Sequence, residues 1–135
     1  MIIRMPSELS NFDVVVFVNV TDADRAKAFY RDTLGLRFVG DELPFALVFD
    51  AHGIMLRLAI VKDKPAFPGT VLGWRASDID ATVRSLSDAG VSFNRYGSMQ
   101  QDDLGIWTTP TGAKVAWFND PDGNVLSLSQ WPETA

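Results

Sequence analysis

The chain of 135 residues contains no cysteine and a single histidine, His52. Disulfides, thiolate nucleophiles and cysteine-based zinc or iron–sulfur sites are therefore excluded, and one histidine cannot build a multi-histidine metal cluster within one chain. No stretch approaches the roughly 18 apolar residues of a membrane span, and residues 1–12 lack the apolar core of a signal peptide. We therefore expect a cytoplasmic protein that does not enter membranes.

Positive charge is also scarce, because 12 basic residues face 17 acidic ones and the formal net charge is −5. Nucleic acids and anionic lipids are bound by basic surfaces, so neither is expected as a partner. Of the residues, 47% are hydrophobic and 21% are charged, as in an ordinary globular protein. The length predicts a single domain spanning residues 1–135.

Two parts of the chain repeat the same order of patterns. Alternating apolar residues over 14–20 predict a strand, Asp22 caps a helical pattern, and Gly35 ends it. A strand over 71–76, a cap at Asp78 and a final Gly90 follow about 56 residues later. The hairpin over 50–58 likewise matches the one over 120–128, with an offset of 70 residues. The extra residues of the second repeat fall in a predicted loop over 94–104.

Each repeat has room for further strands before its last one. These are predicted over 37–40 and 45–49 in the first repeat, and over 91–95, 105–109 and 113–118 in the second. The prediction is therefore an α+β fold of two βαβββ modules with mixed sheets. Module one covers about residues 12–61 and module two about 70–131, and the linker over 62–69 contains Pro65 and Pro68.

The sequence resembles the vicinal oxygen chelate superfamily, which includes glyoxalase I, bleomycin-resistance proteins and extradiol dioxygenases. The resemblance rests on the run from Val20-Thr21-Asp22 through Phe29-Tyr30 to Leu34-Gly35-Leu36, on the turn Asn119-Asp120-Pro121-Asp122-Gly123-Asn124, and on the paired modules. It implies that the two sheets curl around one cavity. It also implies that the protein forms a homodimer.

In metal-using relatives, four strand positions supply His, Gln or Glu ligands. The resemblance places these positions at Val15, Arg57, Val71 and Ser127 in this chain. Two of these side chains have no donor atom, one is a cation, and serine is a weak donor, so no metal and no other cofactor are expected.

Strand alternation predicts which residues share the face turned away from the helices. This face would line the cavity with apolar side chains and a few polar ones: Val15, Phe17, Asn19, Met55, Arg57, Val71, Arg75, Val125 and Ser127. The same pattern also fits a face that is simply solvated. Trp107 and Trp117 lie on neighbouring predicted strands, where each could form a stacking wall of the cavity or pack in the core.

Arg57 and Arg75 are the candidate anion-binding groups, since an arginine can hold a carboxylate or phenolate with two hydrogen bonds. The alternative is that one of them pairs with a nearby Asp or Glu for structural reasons. His52 falls in a hairpin turn and is expected to be exposed.

Several other residues with possible chemistry lack any distinguishing pattern. Glu42, Asp102 and Asp103 are placed in loops, and Phe29 and Tyr30 at core positions of the first helix. The chain has no phosphate-binding glycine loop and no Gly-x-Ser-x-Gly nucleophile turn.

The resulting prediction is a metal-free protein that binds an apolar or aromatic, partly anionic small molecule in the sheet cavity. The alternative is a metal-dependent lyase, isomerase or ring-cleaving dioxygenase of the same superfamily. A metal-free enzyme with a loop carboxylate as base has no positive support in the sequence.

Overall fold

Two modules with the same order of elements follow one another in the computed structural model, which describes residues 8–133. A 3-10 turn at Glu8–Asn11 comes first. The first module contains β1 (Val15–Val20), α1 (Ala23–Lys27) continued by a π-helical turn (Ala28–Thr33), β2 (Arg37–Glu42), β3 (Ala46–Ala51) and β4 (Ile54–Ile60). The second contains β5 (Thr70–Arg75), α2 (Ile79–Asp88), β6 (Trp107–Thr108), β7 (Lys114–Asn119) and β8 (Val125–Gln130). The predicted α+β fold of two βαβββ modules is confirmed.

Each module forms a four-stranded mixed sheet, with strand order β1-β4-β3-β2 in the first and β5-β8-β7-β6 in the second. The first strand runs parallel to the last in each sheet, and the other pairs are antiparallel. A parallel pair cannot be closed by a tight hairpin, so the helix and two further strands lie between its members along the chain. The register places Phe17 beside Arg57 and Gly73 beside Ser127.

Both helices begin where an aspartate was predicted to cap them. The Asp22 carboxylate accepts a hydrogen bond from the Arg25 N–H at 3.0 Å, and Asp78 accepts one from Ala81 at 3.1 Å. These bonds satisfy backbone donors that the first helical turn leaves without partners. Past α2, Gly90 adopts a φ of 101°, a left-handed conformation that glycine allows at a helix end.

The second module departs from the predicted strands at two places. Residues 91–95 do not form a strand, although Phe93 makes an isolated bridge with Phe118, and the strand predicted over 105–109 is shortened to β6. The Gln101 side chain accounts for this difference. Its amide nitrogen donates to the carbonyls of Asn94 and Gly105, and its oxygen accepts from the Tyr96 N–H. These bonds take up backbone groups that a strand ladder would otherwise use.

Buried residues of both modules form one apolar cluster between the helices and the sheets. It includes Val18, Val20, Tyr30, Phe49, Leu56, Leu58, Ile79, Val83, Phe118, Leu126 and Leu128. The alternation predicted for β1, β4 and β8 is visible here, since two alternate residues of each strand enter the cluster: Val18 and Val20, Leu56 and Leu58, and Leu126 and Leu128. Within residues 8–133, no helix is long and apolar enough to cross a membrane.

Candidate functional site

The sheet surface turned away from the helices carries most of the predicted site residues, and we call it the open face. In the first sheet it consists of Val15, Phe17, Asn19, Met55 and Arg57, and in the second of Val71, Trp107, Trp117, Val125 and Ser127. Val15, Phe17 and Met55 are exposed here, with 64% of Phe17 accessible. Large apolar side chains are therefore available for contact with a ligand or another protein.

Arg57 is held by a carboxylate on this face. Its two terminal nitrogens donate to the two carboxylate oxygens of Glu42 at 3.0 Å each. The hydrogen bond from the guanidinium lowers the pKa of the Glu42 carboxyl below its ordinary value. Glu42 ends β2 and so does not lie in a loop as predicted. Because Glu42 neutralises the charge of Arg57, the pair attracts an anion less than a free arginine would.

Three aromatic side chains meet on the open face of the second sheet, and we call them the aromatic wall. The rings of Trp107 and Trp117 are stacked with centroids 6.2 Å apart, and Tyr96 meets Trp117 edge-on at 5.5 Å. The wall borders a depression of about 290 Å³, which Met99 and Val125 also line. Tyr96 and Met99 come from the predicted loop over 94–104, where no periodicity marked them as site residues.

A second depression, of about 280 Å³, lies between β1 and the segment that joins the modules. It is lined by Phe17, Asn19, Lys64, Phe67 and Val71, among others. Lys64 is half-buried, donates to the carbonyl of Pro65 at 3.5 Å, and enters none of the ion pairs found among residues 8–133. Sequence reasoning treated this segment only as a linker and therefore missed Lys64 and Phe67.

The remaining predicted residues have different environments. Ser127 is buried, and a Cβ atom at the neighbouring Gly73 would lie only 2.7 Å from its hydroxyl oxygen. The Arg75 guanidinium lies 5.6 Å from the centre of the Trp131 ring, and Arg75 is also among the residues that line a cavity bordered by α2. His52 is exposed in its turn with a φ of 53°. Asn19 accepts a hydrogen bond on its carbonyl from the Asn124 side chain at 2.9 Å.

The residues at the four positions implied for metal ligands do not fit a metal. Val15 and Val71 offer no donor atom, the Arg57 cation is bound to Glu42, and Ser127 contributes one buried hydroxyl. Elsewhere in residues 8–133, no group of three His, Asp or Glu side chains is placed to hold a metal ion. The site thus presents stacked rings, apolar side chains and one lysine ammonium.

Comparison with known proteins shows which superfamily the chain belongs to. Residues 12–128 match the model of the Glyoxalase/Bleomycin resistance protein/Dioxygenase superfamily, and the chain belongs to this superfamily. None of the curated proteins matches the chain.

Solved structures of similar fold include a glyoxalase/bleomycin resistance protein/dioxygenase from Alicyclobacillus acidocaldarius, with 18% identity and a TM-score of 0.66 over 91% of this chain and 93% of that one. A superfamily member from Sphaerobacter thermophilus has 24% identity and a TM-score of 0.67 over 89% and 98% of the two chains. A lactoylglutathione lyase from Agrobacterium tumefaciens has 19% identity and a TM-score of 0.63 over 87% and 92%. At these identities the likeness shows the shared fold.

Proposed function

We propose that this protein binds a planar aromatic, partly anionic small molecule on the open face, without a metal. The observation that carries the proposal is the aromatic wall of Tyr96, Trp107 and Trp117 beside a depression of about 290 Å³. Stacked indole rings offer a flat apolar surface, and offset or edge-on contacts with aromatic ligands contribute beyond the area they bury. A ring system inserted beside Trp117 would also contact Met99 and Val125.

The anionic preference of the site is attributed to Lys64. The half-buried Lys64 lines the second depression, and the two depressions are lined by chain neighbours: Thr70 and Val125 line the first, and Val71 and Asn124 the second. An ammonium that is partly removed from water attracts a carboxylate or phenolate more strongly than an exposed one does. Arg57 contributes little to this attraction, because Glu42 neutralises it.

We propose binding without a metal because of the side chains at the four positions that hold metal ligands in relatives. Val15, Arg57, Val71 and Ser127 cannot form a ligand set for a divalent ion, because together they offer a single hydroxyl oxygen as a donor atom. Elemental analysis of the purified protein and calorimetry with nickel, zinc, iron and manganese salts should detect no stoichiometric binding. Tight binding of any of these ions would favour the metal-dependent enzymes of the superfamily instead.

The test of the binding site uses 2-naphthoate as an anionic aromatic probe and 2-naphthamide as its neutral counterpart. Tryptophan fluorescence should report saturable binding of naphthoate, and Trp117→Leu should weaken it about tenfold, because a stacking contact is worth about 1 kcal/mol or more. Lys64→Gln should weaken naphthoate binding and leave naphthamide binding unchanged. Trp131→Leu is the matched control, since Trp131 is exposed and lies outside the open face.

Equal affinities of the Trp117→Leu variant and the wild type would refute the role of the aromatic wall. If the ratio of naphthoate affinity to naphthamide affinity is the same in Lys64→Gln as in the wild type, the anionic preference has another source.

We also propose a cytoplasmic homodimer. The exposed apolar side chains of Val15, Phe17 and Met55 on the first sheet support an interface with a second copy, and the lack of cysteine suits a reducing compartment. Sedimentation should show a dimer, and Phe17→Asp should shift it towards monomer. A monomeric wild type would contradict this proposal.

A further inference from the structure

A cavity of about 350 Å³ lies on the helix side of the second sheet, away from the open face. Leu34 and Leu36, which follow the first helix, form one wall, and α2 forms another through Leu86. The floor consists of Phe118 and Leu128, which belong to the apolar core. The volume lies within the range of small-molecule sites, and the lining is mainly apolar, with four leucines.

The cavity lies where the two modules carry side chains of different size at equivalent positions. Leu86 corresponds to Tyr30 of the first module, 56 residues earlier. Tyr30 is fully buried, and its hydroxyl reaches Asp120 in the other module at 2.7 Å. Leucine is shorter and carries no hydroxyl, and Leu86 is only partly buried beside the cavity.

Three polar residues line this cavity. They are Arg75, Ser77 and Thr82, and the Thr82 hydroxyl donates to the carbonyl of Asp78 at 3.0 Å. The Arg75 guanidinium lies over the Trp131 ring, 5.6 Å from its centre, and takes part in none of the three ion pairs found among residues 8–133. Glu133 lines the neighbouring groove, also formed by Arg75 and Trp131. An arginine without a carboxylate partner, at the edge of an apolar cavity, is suited to bind one.

We infer that this cavity is a second ligand site, for a small aliphatic monocarboxylate whose chain lies among the leucines and whose carboxylate binds Arg75. The leucine lining favours an aliphatic chain, whereas the aromatic wall of the open face favours a flat ring. The inference is independent of the proposed function, because the two sites have no lining residue in common.

The experiment titrates the full-length protein with sodium octanoate and, in parallel, with 1-octanol. Leu86→Phe fills the cavity and should weaken binding of both compounds at least tenfold. Arg75→Gln removes the cation and should weaken octanoate binding about tenfold with little effect on octanol, in line with a hydrogen bond to a charged group. Arg84→Gln removes the same charge from an exposed position on α2 and should leave both affinities unchanged.

The four indole N–H signals in a proton–nitrogen NMR spectrum locate the ligand without any variant. Octanoate should shift the Trp74 signal, since Trp74 lines the cavity, and the Trp131 signal, since Trp131 contacts Arg75. Shifts confined to Trp107 and Trp117 would place octanoate on the open face and overturn the inference. Absence of saturable binding would overturn it too, as would unchanged affinities in both the Leu86→Phe and Arg75→Gln variants.

Discussion

Tyr30 and Leu86 occupy equivalent places in the two modules, but they contact different groups. The Tyr30 hydroxyl donates to Asp120, whose other contacts include the Asn124 side chain at 2.7 Å, and the Asn124 amide also donates to the carbonyl of Asn19. Leu86 borders a cavity. The end of the first helix is therefore bonded to the closing turn of the second module. The second helix makes no such bond through Leu86, which instead borders a cavity that Leu34 and Leu36 also line.

The closing turn of the second module adds a further connection through Asp122. One oxygen of this carboxylate accepts hydrogen bonds from the backbone and side chain of Thr21 and from Arg25. The equivalent turn of the first module carries His52, which is exposed. The comparison shows that only one copy of the repeated turn, the one in the second module, bonds the other module through its carboxylates.

The largest expected effect on stability comes from Tyr30→Leu, which gives the first module the residue that the second module has at the equivalent position. This change removes a buried ring together with the hydroxyl that bonds Asp120, and it should lower the free energy of unfolding by about 3–5 kcal/mol. Urea denaturation measures this difference. Leu86→Met, which preserves volume beside the cavity, is the control and should cost less than about 1.5 kcal/mol. Similar losses of unfolding free energy in both variants would contradict the larger structural role assigned to Tyr30.

A smaller effect is expected from Tyr30→Phe, which keeps the ring and removes only the hydroxyl. At neutral pH it should lower the free energy of unfolding by about 1.5–3 kcal/mol, the range for a hydrogen bond to a charged group.

The Tyr30→Phe variant should also change the dependence of stability on pH. Burial, followed by the Asp120 carboxylate, raises the pKa of Tyr30 above its ordinary value of 10.0. Above that pH the unfolded chain releases the phenol proton and the folded chain retains it, so wild-type stability falls as pH rises. The wild type should therefore lose about 1.4 kcal/mol per pH unit more than the variant above pH 10. Parallel curves for the two proteins would show that Tyr30 ionises normally.

The smallest effect on stability is expected on the open face. The second sheet has the neighbouring pair Gly73 and Ser127 at the place where the first sheet has Phe17 and Arg57. A Cβ at Gly73 would lie 2.7 Å from the Ser127 hydroxyl oxygen, so Gly73→Ala should cost about 1 kcal/mol, the lower end for overpacking, because this hydroxyl can rotate. Adding Ser127→Ala should restore part of the loss. Gly40→Ala is the matched control in a strand, since a Cβ there meets nothing within 4 Å. Equal unfolding midpoints for the two alanine variants would indicate that β5 and β8 can separate slightly.

Local patterns predicted most of the fold correctly. The Asp22 and Asp78 caps, the strand faces and the repeat depend on backbone periodicity and on side chains bonding their own neighbours, which a sequence displays directly. The predicted strand over 91–95 was wrong because Gln101, several residues later, bonds the backbone of this region. Lys64, Phe67, Tyr96 and Met99 were missed as site residues because they lie in segments without periodicity.

The sequence by itself determined the paired βαβββ architecture and the unsuitable donor atoms at Val15, Arg57, Val71 and Ser127, since each follows from residue type and local order. Only the tertiary structure decided how the charges are used. It joined Arg57 to Glu42 across the sheet, placed Arg75 over the Trp131 ring, and opened a cavity beside Leu86. These outcomes depend on which side chains meet across strands and modules, and such distances are set by packing of the whole chain.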